Sequence, residues 1–208
     1  RVSDFIKQAD VEYILSDFPE LLSSMKTGVN RIQDIIQSLQ IFSRTDRIYV
    51  RSANLNENID STLMILQNRL DGRAGRPKIE VIKDYGKLPL FECYVDSLNQ
   101  VFMNLLVNAI DAIEEHQVDA EPDYLGCITI TTRLTSDNKI TISIRDNGSG
   151  MSPDIQAKIF NPFFTTKPVG VGTGMGLSVS YQIVTSNHQG QLYCYSEVGA
   201  GTQFVIEL

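Results

Sequence analysis

Residues 95–115 read VDSLNQVFMNLLVNAIDAIEE, and the fold turns on how that stretch is read. Phe102, Leu105, Leu106, Ala109, Ile110 and Ile113 recur every three or four positions, so a helix over about Val95–Glu115 lays them along one packing side. The opposite side differs in kind. Gln100, Asn104, Asn108 and Asp111 form a polar row at spacings of four, four and three. Solvent exposure is the default explanation of such a row. Asn104, Asn108 and Asp111, two amides and a carboxylate in line, also make a wall suited to a polar ligand.

Downstream, CITITTRL (127–134) and KITISIRD (139–146) alternate with period two and are joined by the turn residues TSDN, which predicts an antiparallel hairpin. The second strand runs into Asp146-Asn147-Gly148-Ser149-Gly150. MSPDIQAKIF then reads as a short helix capped by Ser152 with Pro153 in its first position. From Asn161 to Thr173 no regular element is predicted, yet Phe163, Phe164, Thr165, Thr166 and Lys167 lie there, as expected of a mobile lid. Gly170, Gly172, Gly174 and Gly176 open a helix, GLSVSYQIVTSNH, that Gly190 is expected to end in a left-handed conformation. QLYCYSE and TQFVIEL are closing strands around the tight turn VGAG.

Upstream, KIEVIKDYG predicts a strand, PLFECY a short extended piece, and Leu55–Leu70 a helix capped by Asn56, or by Ser52 if it starts earlier. A short helix in FIKQADVEYILSDFPE is expected to turn near Asp17-Phe18-Pro19. Phe18, Leu22, Met25, Val29, Ile32, Ile36 and Leu39 then follow a heptad seam, widened by Leu21, Gly28, Ile35 and Phe42. A stripe of that width suits an intersubunit four-helix bundle; padding of the neighbouring domain is the blander alternative. The sum is an α+β chain, a mixed sheet with helices on one face, preceded by a helical segment.

With 25 acidic against 18 basic residues and a formal charge of −7, the chain offers no broad basic face, which argues against nucleic acid as a partner. A single nucleotide needs only local donors from backbone and helix ends. Cys93, Cys127 and Cys194 fit neither a disulfide framework nor a zinc spacing and read as reduced, buried thiols. No stretch has the apolar length of a membrane span.

GVGTGMGLS has the physics of a phosphate cradle, glycines admitting backbone amides to oxygens ahead of a helix. It is not a Walker A loop, because Gly176 is followed by Leu177 and Ser178 rather than by Lys and Ser or Thr. It is also a poor dinucleotide fingerprint, having no clear strand before it. Asp146 is suited to accept from the exocyclic amine of adenine, with Gly148 and Gly150 admitting the base near the backbone. Asn108 offers a carbonyl oxygen to Mg²⁺, and Lys167 a mobile point charge to a terminal phosphate.

These motifs together resemble the GHKL superfamily of ATP-binding proteins and, within it, the two-component sensor histidine kinases. LNQVFMNLLVNAIDAI looks like the N box, DNGSG the first glycine box, FNPFFTTK the F box, GTGMGLS the second glycine box and GAGT a C-terminal glycine box, covering about Asn99 to Leu208 in the family's order. SSMKTGVNRIQDIIQSLQIFSR resembles the second helix of the dimerisation and phosphoacceptor domain, especially of cyanobacterial multi-sensor kinases. The resemblance implies a two-layer α/β sandwich of the histidine-kinase ATPase type over 51–208. Residues 1–50 would be a partial helical dimerisation region without the acceptor histidine.

It further implies ATP and Mg²⁺ as cofactors. Asn108 would be the metal ligand, with Asn104 and Asp111 on the same wall and Asn104 beside the phosphates. Asp146, Gly148, Gly150 and Thr202 would form the adenine pocket. Gly172, Thr173, Gly174, Met175, Gly176 and Leu177 would hold the phosphates, Phe160 and Phe163 would pack the lid, and Lys167 would reach the β- or γ-phosphate. Gyrase, Hsp90 and mismatch-repair ATPases place a glutamate four residues before the magnesium asparagine to activate water; Asn104 cannot act as that base. Catalysis by Asn104, Asn108 and Lys167 would then be phosphoryl transfer to a partner.

The departure is the histidine box. Neither His116 nor His188 is followed by the family's Glu-x-x-Asn/Thr-Pro pattern, and each reads as a surface or turn histidine. The abrupt start in RVSDFIKQADVEYIL suggests a piece of something longer, with the acceptor expected upstream of Arg1. Such a chain is expected to bind ATP without phosphorylating itself. Homodimerisation through the N-terminal helices, a response-regulator receiver domain as partner, and a cytoplasmic catalytic region follow as expectations, with any membrane attachment coming through segments outside this sequence. Two alternatives stand beside this: a nucleotide-binding switch or protein-serine kinase of the same superfamily, against which the heptad helix speaks, and an interaction module without activity, against which intact Asn108 and Asp146 speak.

Overall fold

A computed structural model describes residues 17–19, 21, 22, 25, 28, 29, 49–72, 78–117, 124–168 and 172–208. The described residues of the N-terminal segment are helical, and Phe18, Leu22, Met25 and Val29 stand exposed there. The rest of the heptad seam, the preceding helix and Gly170 lie outside the described residues.

Period-two alternation of β-branched residues builds the sheet. Strands β4 (Cys127–Leu134) and β5 (Ile140–Asp146) turn Ile128, Ile130, Thr132, Ile142 and Ile144 inward while Thr129, Thr131, Arg133, Thr141, Ser143 and Arg145 lie on the other face. With β2 (Glu80–Tyr85), β6 (Gln191–Glu197) and β7 (Gly201–Glu207) they form a five-stranded sheet in the order β2-β4-β5-β7-β6. Only the β2–β4 pair is parallel, so the sheet is mixed. Two short strands, β1 (Arg51–Ala53) and β3 (Phe91–Cys93), pair separately.

One layer of helices covers the inner face of this sheet. Helix α2 (Val95–His116) packs between α1 (Leu55–Leu70) and α4 (Gly176–Gln182) and also touches β4, β5 and β7. The packing side read from the sequence is the buried side: Phe102, Leu105, Leu106, Ile110 and Ile113 are fully buried in the core. Burial of each such side chain stabilises the fold by about 1.5–3 kcal/mol, so α2 is held mainly by its neighbours. The molecule is the expected two-layer α/β sandwich.

Local chemistry differs from expectation at several ends. Asn54, rather than Asn56 or Ser52, caps α1; its backbone is extended and its side chain accepts from the Asn56 amide, while Ser52 belongs to β1. The helix after Ser152, α3, spans only Pro153–Gln156, and the Ser152 hydroxyl makes no capping bond. Helix α4 ends in a π-helical turn over Ile183–Asn187. The left-handed residue there is Gln189, φ 54°, and not Gly190. Gly190 is needed instead for close approach, because a Cβ on it would lie 2.2 Å from the Glu207 carbonyl oxygen. Of the three free cysteines only Cys93 is buried; Cys127 and Cys194 are half-buried.

His188 is half-buried at the turn that ends helix α4. Its Nδ1–H donates to the Ile183 carbonyl at 2.9 Å, closing the π-helical turn, while Nε2 accepts the Tyr94 backbone N–H at 3.1 Å, just before α2. Its ring meets Tyr94 edge-on, with centroids 5.3 Å apart. Burial lowers its pKa from 6.5, the Ile183 bond offsetting part of that effect. The neutral ring therefore stabilises the fold above pH 6.5, and that contribution is lost as pH falls below it. We expect His188→Ala to cost roughly 1–3 kcal/mol in urea unfolding at pH 7.5. At pH 5.5 the gap between variant and wild type should narrow; a gap independent of pH would show that the neutral ring is not what matters.

Candidate active site

The polar row of α2 faces the glycine-opened helix and the lid. Asn104 Nδ2 donates to the Gly176 carbonyl at 3.0 Å and to Ser180 Oγ at 3.1 Å, tying α2 to the start of α4. Ser180 Oγ also donates to Gly176 at 2.8 Å, so the carbonyl is doubly held. Three residues beyond Asn108, Asp111 is bridged by two cations: Arg69 of α1 lies at 2.6 Å from Oδ1, and Lys167 of the lid pairs with Oδ2. Arg69 reaches Glu114 as well, at 2.8 Å. Between these anchored residues stands Asn108, half-buried, whose amide has no hydrogen-bond partner among the described residues.

At the end of β5, Asp146 is only 4% exposed. Its Oδ1 accepts the backbone N–H of Gly148 at 2.9 Å and of Thr202 at 3.2 Å, which leaves Oδ2 for an outside donor. Burial pushes this carboxyl up from 3.8 to about 6, against the lowering effect of those two amides. A buried, open carboxylate oxygen suits a neutral amine donor, whose hydrogen bond would favour the charged form.

The glycines beside it are there to let backbones meet. A Cβ on Gly148 would fall 2.6 Å from the carbonyl carbon of Ala112 in α2, and Ser149 N–H donates to the Ala112 carbonyl at 3.2 Å. Gly150 has φ +66°, and its Cβ would lie 1.9 Å from the Glu197 carbonyl oxygen. Both glycines thus serve packing against α2 and the β6–β7 turn, the structural role that such a run carries on its own, beside any approach of a base to the backbone. Asn147 holds the strand entrance, accepting from Tyr124 and from the Cys127 amide.

The lid is fastened by backbone rather than by its most exposed ring. Phe163 has φ 67° and is 70% exposed, while a Cβ on Gly174 would come within 2.4 Å of the Phe163 carbonyl carbon. Phe160 instead packs, its ring 5.0 Å from that of Tyr181. Gly172 lies against Thr165 and Lys167, Thr173 Oγ1 accepts the Met175 amide, and Met175 and Leu177 rest against the core. Thr202 is buried, its hydroxyl 2.8 Å from that of Ser196. The structure therefore gathers the sequence candidates into two linked groups, a buried pair of Asp146 and Thr202 at the strand ends and a polar row from Asn104 to Asp111 beside Lys167.

Sequence reading missed Arg69, Ser180 and Ser196. Ser180 follows Gly176 by one helical turn and Ser196 is the register partner of Thr202 across the VGAG turn, so both had a local signal; Arg69 had none.

Residues 93–208 match the family of histidine kinase-, DNA gyrase B-, and HSP90-like ATPases, and the chain belongs to that family. Within it the relatives that the chain resembles are sensor histidine kinases. It is 34% identical over 206 residues to the sensor kinase CckA of Brucella abortus, covering 92% of this chain and 20% of that protein. It is 35% identical over 191 residues to the signal transduction histidine-protein kinase AtoS of Escherichia coli, covering 91% of this chain and 29% of that protein. The chain thus spans less than a third of these curated relatives. The catalytic domain of histidine kinase ThkA superposes with a TM-score of 0.62 at 28% identity, over 76% of this chain and 96% of that domain. Full-length ShkA in complex with AMPPNP shares the fold, with a TM-score of 0.73 at 19% identity over 92% of this chain and 38% of that one.

Because the pKa of Asp146 is raised on folding, its ionisation opposes folding, with the penalty absent below pH 3.8 and complete above about 6. Asp146→Asn should therefore leave the nucleotide-free protein at least as stable at pH 8, and up to about 3 kcal/mol more stable, in urea unfolding. That difference should shrink at pH 4.5. The same variant should bind adenine nucleotide at least about tenfold more weakly in calorimetry; marked destabilisation at pH 8 would contradict the reading of a strained, ligand-directed carboxylate.

Proposed function

We propose that this chain is the nucleotide-binding catalytic region of a protein-histidine kinase, which presents the γ-phosphate of ATP to a histidine for relay to a response-regulator aspartate. The observation that carries transfer over hydrolysis is the engagement of Asn104. Its amide donates to Gly176 and Ser180, a task that a glutamate carboxylate could not perform, and it offers no basic atom to activate water. The carboxylate on the same row, Asp111, is held by Arg69 and Lys167.

Asp146 Oδ2 would accept from the adenine amine, with Thr202 beside it. Asn108, unpartnered between two anchored residues, fits a hard cation that takes an amide oxygen and keeps water and phosphate oxygens for the rest of its shell. Among the described residues no group of three His, Cys, Asp or Glu side chains forms another metal site. Magnesium bound there would offset phosphate charge. Lys167 would exchange Asp111 for a terminal phosphate, closing the lid and excluding water.

Neither described histidine fits the acceptor role. Both ring nitrogens of His188 are committed to backbone, and His116 packs edge-on against Tyr124 with centroids 4.8 Å apart. The acceptor would then come from another segment or chain. The exposed apolar row from Phe18 to Val29 supports a helical dimer interface that presents it. ThkA has been crystallised with the response regulator TrrA, which supports a receiver domain as the next partner.

The test is calorimetric titration with a non-hydrolysable ATP analogue, with and without magnesium, followed by transfer from ATP to an added histidine-containing helical bundle. Magnesium should tighten binding in the wild type, and Asn108→Ala should remove at least about tenfold of that gain, or ~1.4 kcal/mol. Tight binding without transfer to any bundle would favour a nucleotide-dependent interaction module, and no binding by a folded chain would overturn the proposal.

A further inference from the structure

Helix α1 contributes one side chain to the polar row of α2. Arg69 stands in its last turn, next to the buried Leu70, and its guanidinium crosses to the neighbouring helix. There a single nitrogen, Nη2, lies 2.6 Å from Asp111 Oδ1 and 2.8 Å from Glu114 Oε2. Asp111 Oδ2 holds the ammonium of Lys167, which comes from the loop ahead of α4. One carboxylate thus carries two cations from two different elements, one on each oxygen.

The two cations are held differently. Arg69 is fixed at both ends, since α1 packs on α2 and the guanidinium is shared with a second carboxylate one helical turn further on. Lys167 lies outside helix and strand, a point charge on a flexible stem whose backbone N–H donates to Thr165 Oγ1 at 3.1 Å.

Two like charges on one carboxylate repel, so each weakens the hold of the other. The four side chains are between 21% and 35% exposed, which leaves water to screen these pairs only in part. When Lys167 leaves, Asp111 keeps Arg69, and no half-buried carboxylate is stranded without a partner. Arg69 therefore lowers the cost of moving Lys167 twice, by repulsion beforehand and by compensation afterwards.

We infer that Arg69 is a positioning residue for a nucleoside triphosphate: by holding Asp111 it keeps Lys167 exchangeable, so that the ammonium passes to the γ-phosphate. This rests on the ATP reading of the site, in which Lys167 serves a terminal phosphate. A diphosphate has no γ-phosphate to draw Lys167 away from Asp111, and its binding is nearly indifferent to Arg69.

The experiment is calorimetry of wild type, Arg69→Met, Arg69→Lys, Lys167→Met and the Arg69→Met/Lys167→Met double variant with magnesium-AMPPNP and magnesium-ADP. Arg69→Met should bind AMPPNP about fivefold more weakly, with ADP staying within about twofold of wild type. Arg69→Lys, which keeps a positive charge for Asp111, should recover the ratio of the two affinities. Without Lys167 there is nothing to release, so adding Arg69→Met to Lys167→Met should leave that ratio where Lys167→Met alone sets it. An equal loss for both ligands, or a change of ratio that persists in the Lys167→Met background, would show a structural or plain charge effect and would overturn the inference. If Arg69→Met fails to fold, Arg69→Gln, which removes the charge and keeps a donor, carries the same comparison under the same criteria. A folded wild type that binds neither ligand would instead overturn the ATP reading, and the inference with it.

Discussion

The close approach of the 146–150 loop to helix α2 is the constraint on which the site depends. Only a hydrogen at Gly148 lets that loop lie on the Ala112 peptide, and the Ser149 amide then bonds the Ala112 carbonyl. This contact sets the distance between β5, which carries Asp146, and the helix that carries Asn104, Asn108 and Asp111. The same loop packs on the far side against Glu197 through Gly150, while Gly201 lies against the Asp146 carbonyl. The Asp146 group and the polar row of α2 are therefore held together by backbone contacts, which resist deformation more than flexible side chains do.

Electrostatics then set what the site asks of its ligand. Asp146 is buried without an ion pair among the described residues, the nearby Arg145 charge offsetting only a little of its burial, and is satisfied at one oxygen by two amides and open at the other. Such a group is unfavourable in the empty protein and becomes favourable only when a donor arrives, a familiar exchange of stability for function. Asp111 is the contrast. Two cations neutralise it, and because these side chains are about a quarter to a third exposed, the pairs are individually weak. The lid is thereby tied to α2 by a contact that can be traded, while Gly174 against Phe163 holds its shape.

Helix α2 was legible because burial on one side and amides on the other follow a single 3.6-residue period, and periodicity survives whatever the helix packs against. The β4–β5 hairpin was legible for the same reason with a period of two. End effects were less so. Asn54, Asn56 and Ser52 all carry capping oxygens, and the choice fell to Asn54 because Ser52 is drawn into β1 by pairing with β3. Gly190 looked like a helix stop, yet its hydrogen is required by Glu207, a residue 17 positions away that no local pattern reveals.

The sequence by itself determined the layers, the order of the elements and which residues are candidates for the site, because hydrophobic period, turn chemistry and glycine placement act over a few neighbours. Tertiary structure alone decided which polar atoms remain available: the Asn104 amide consumed by α4, Asp111 by Arg69 and Lys167, one oxygen of Asp146 by backbone, and the His188 nitrogens by two separate segments. Availability is a property of three-dimensional neighbours, since a hydrogen bond or ion pair acts over a few ångströms of space whatever the separation along the chain.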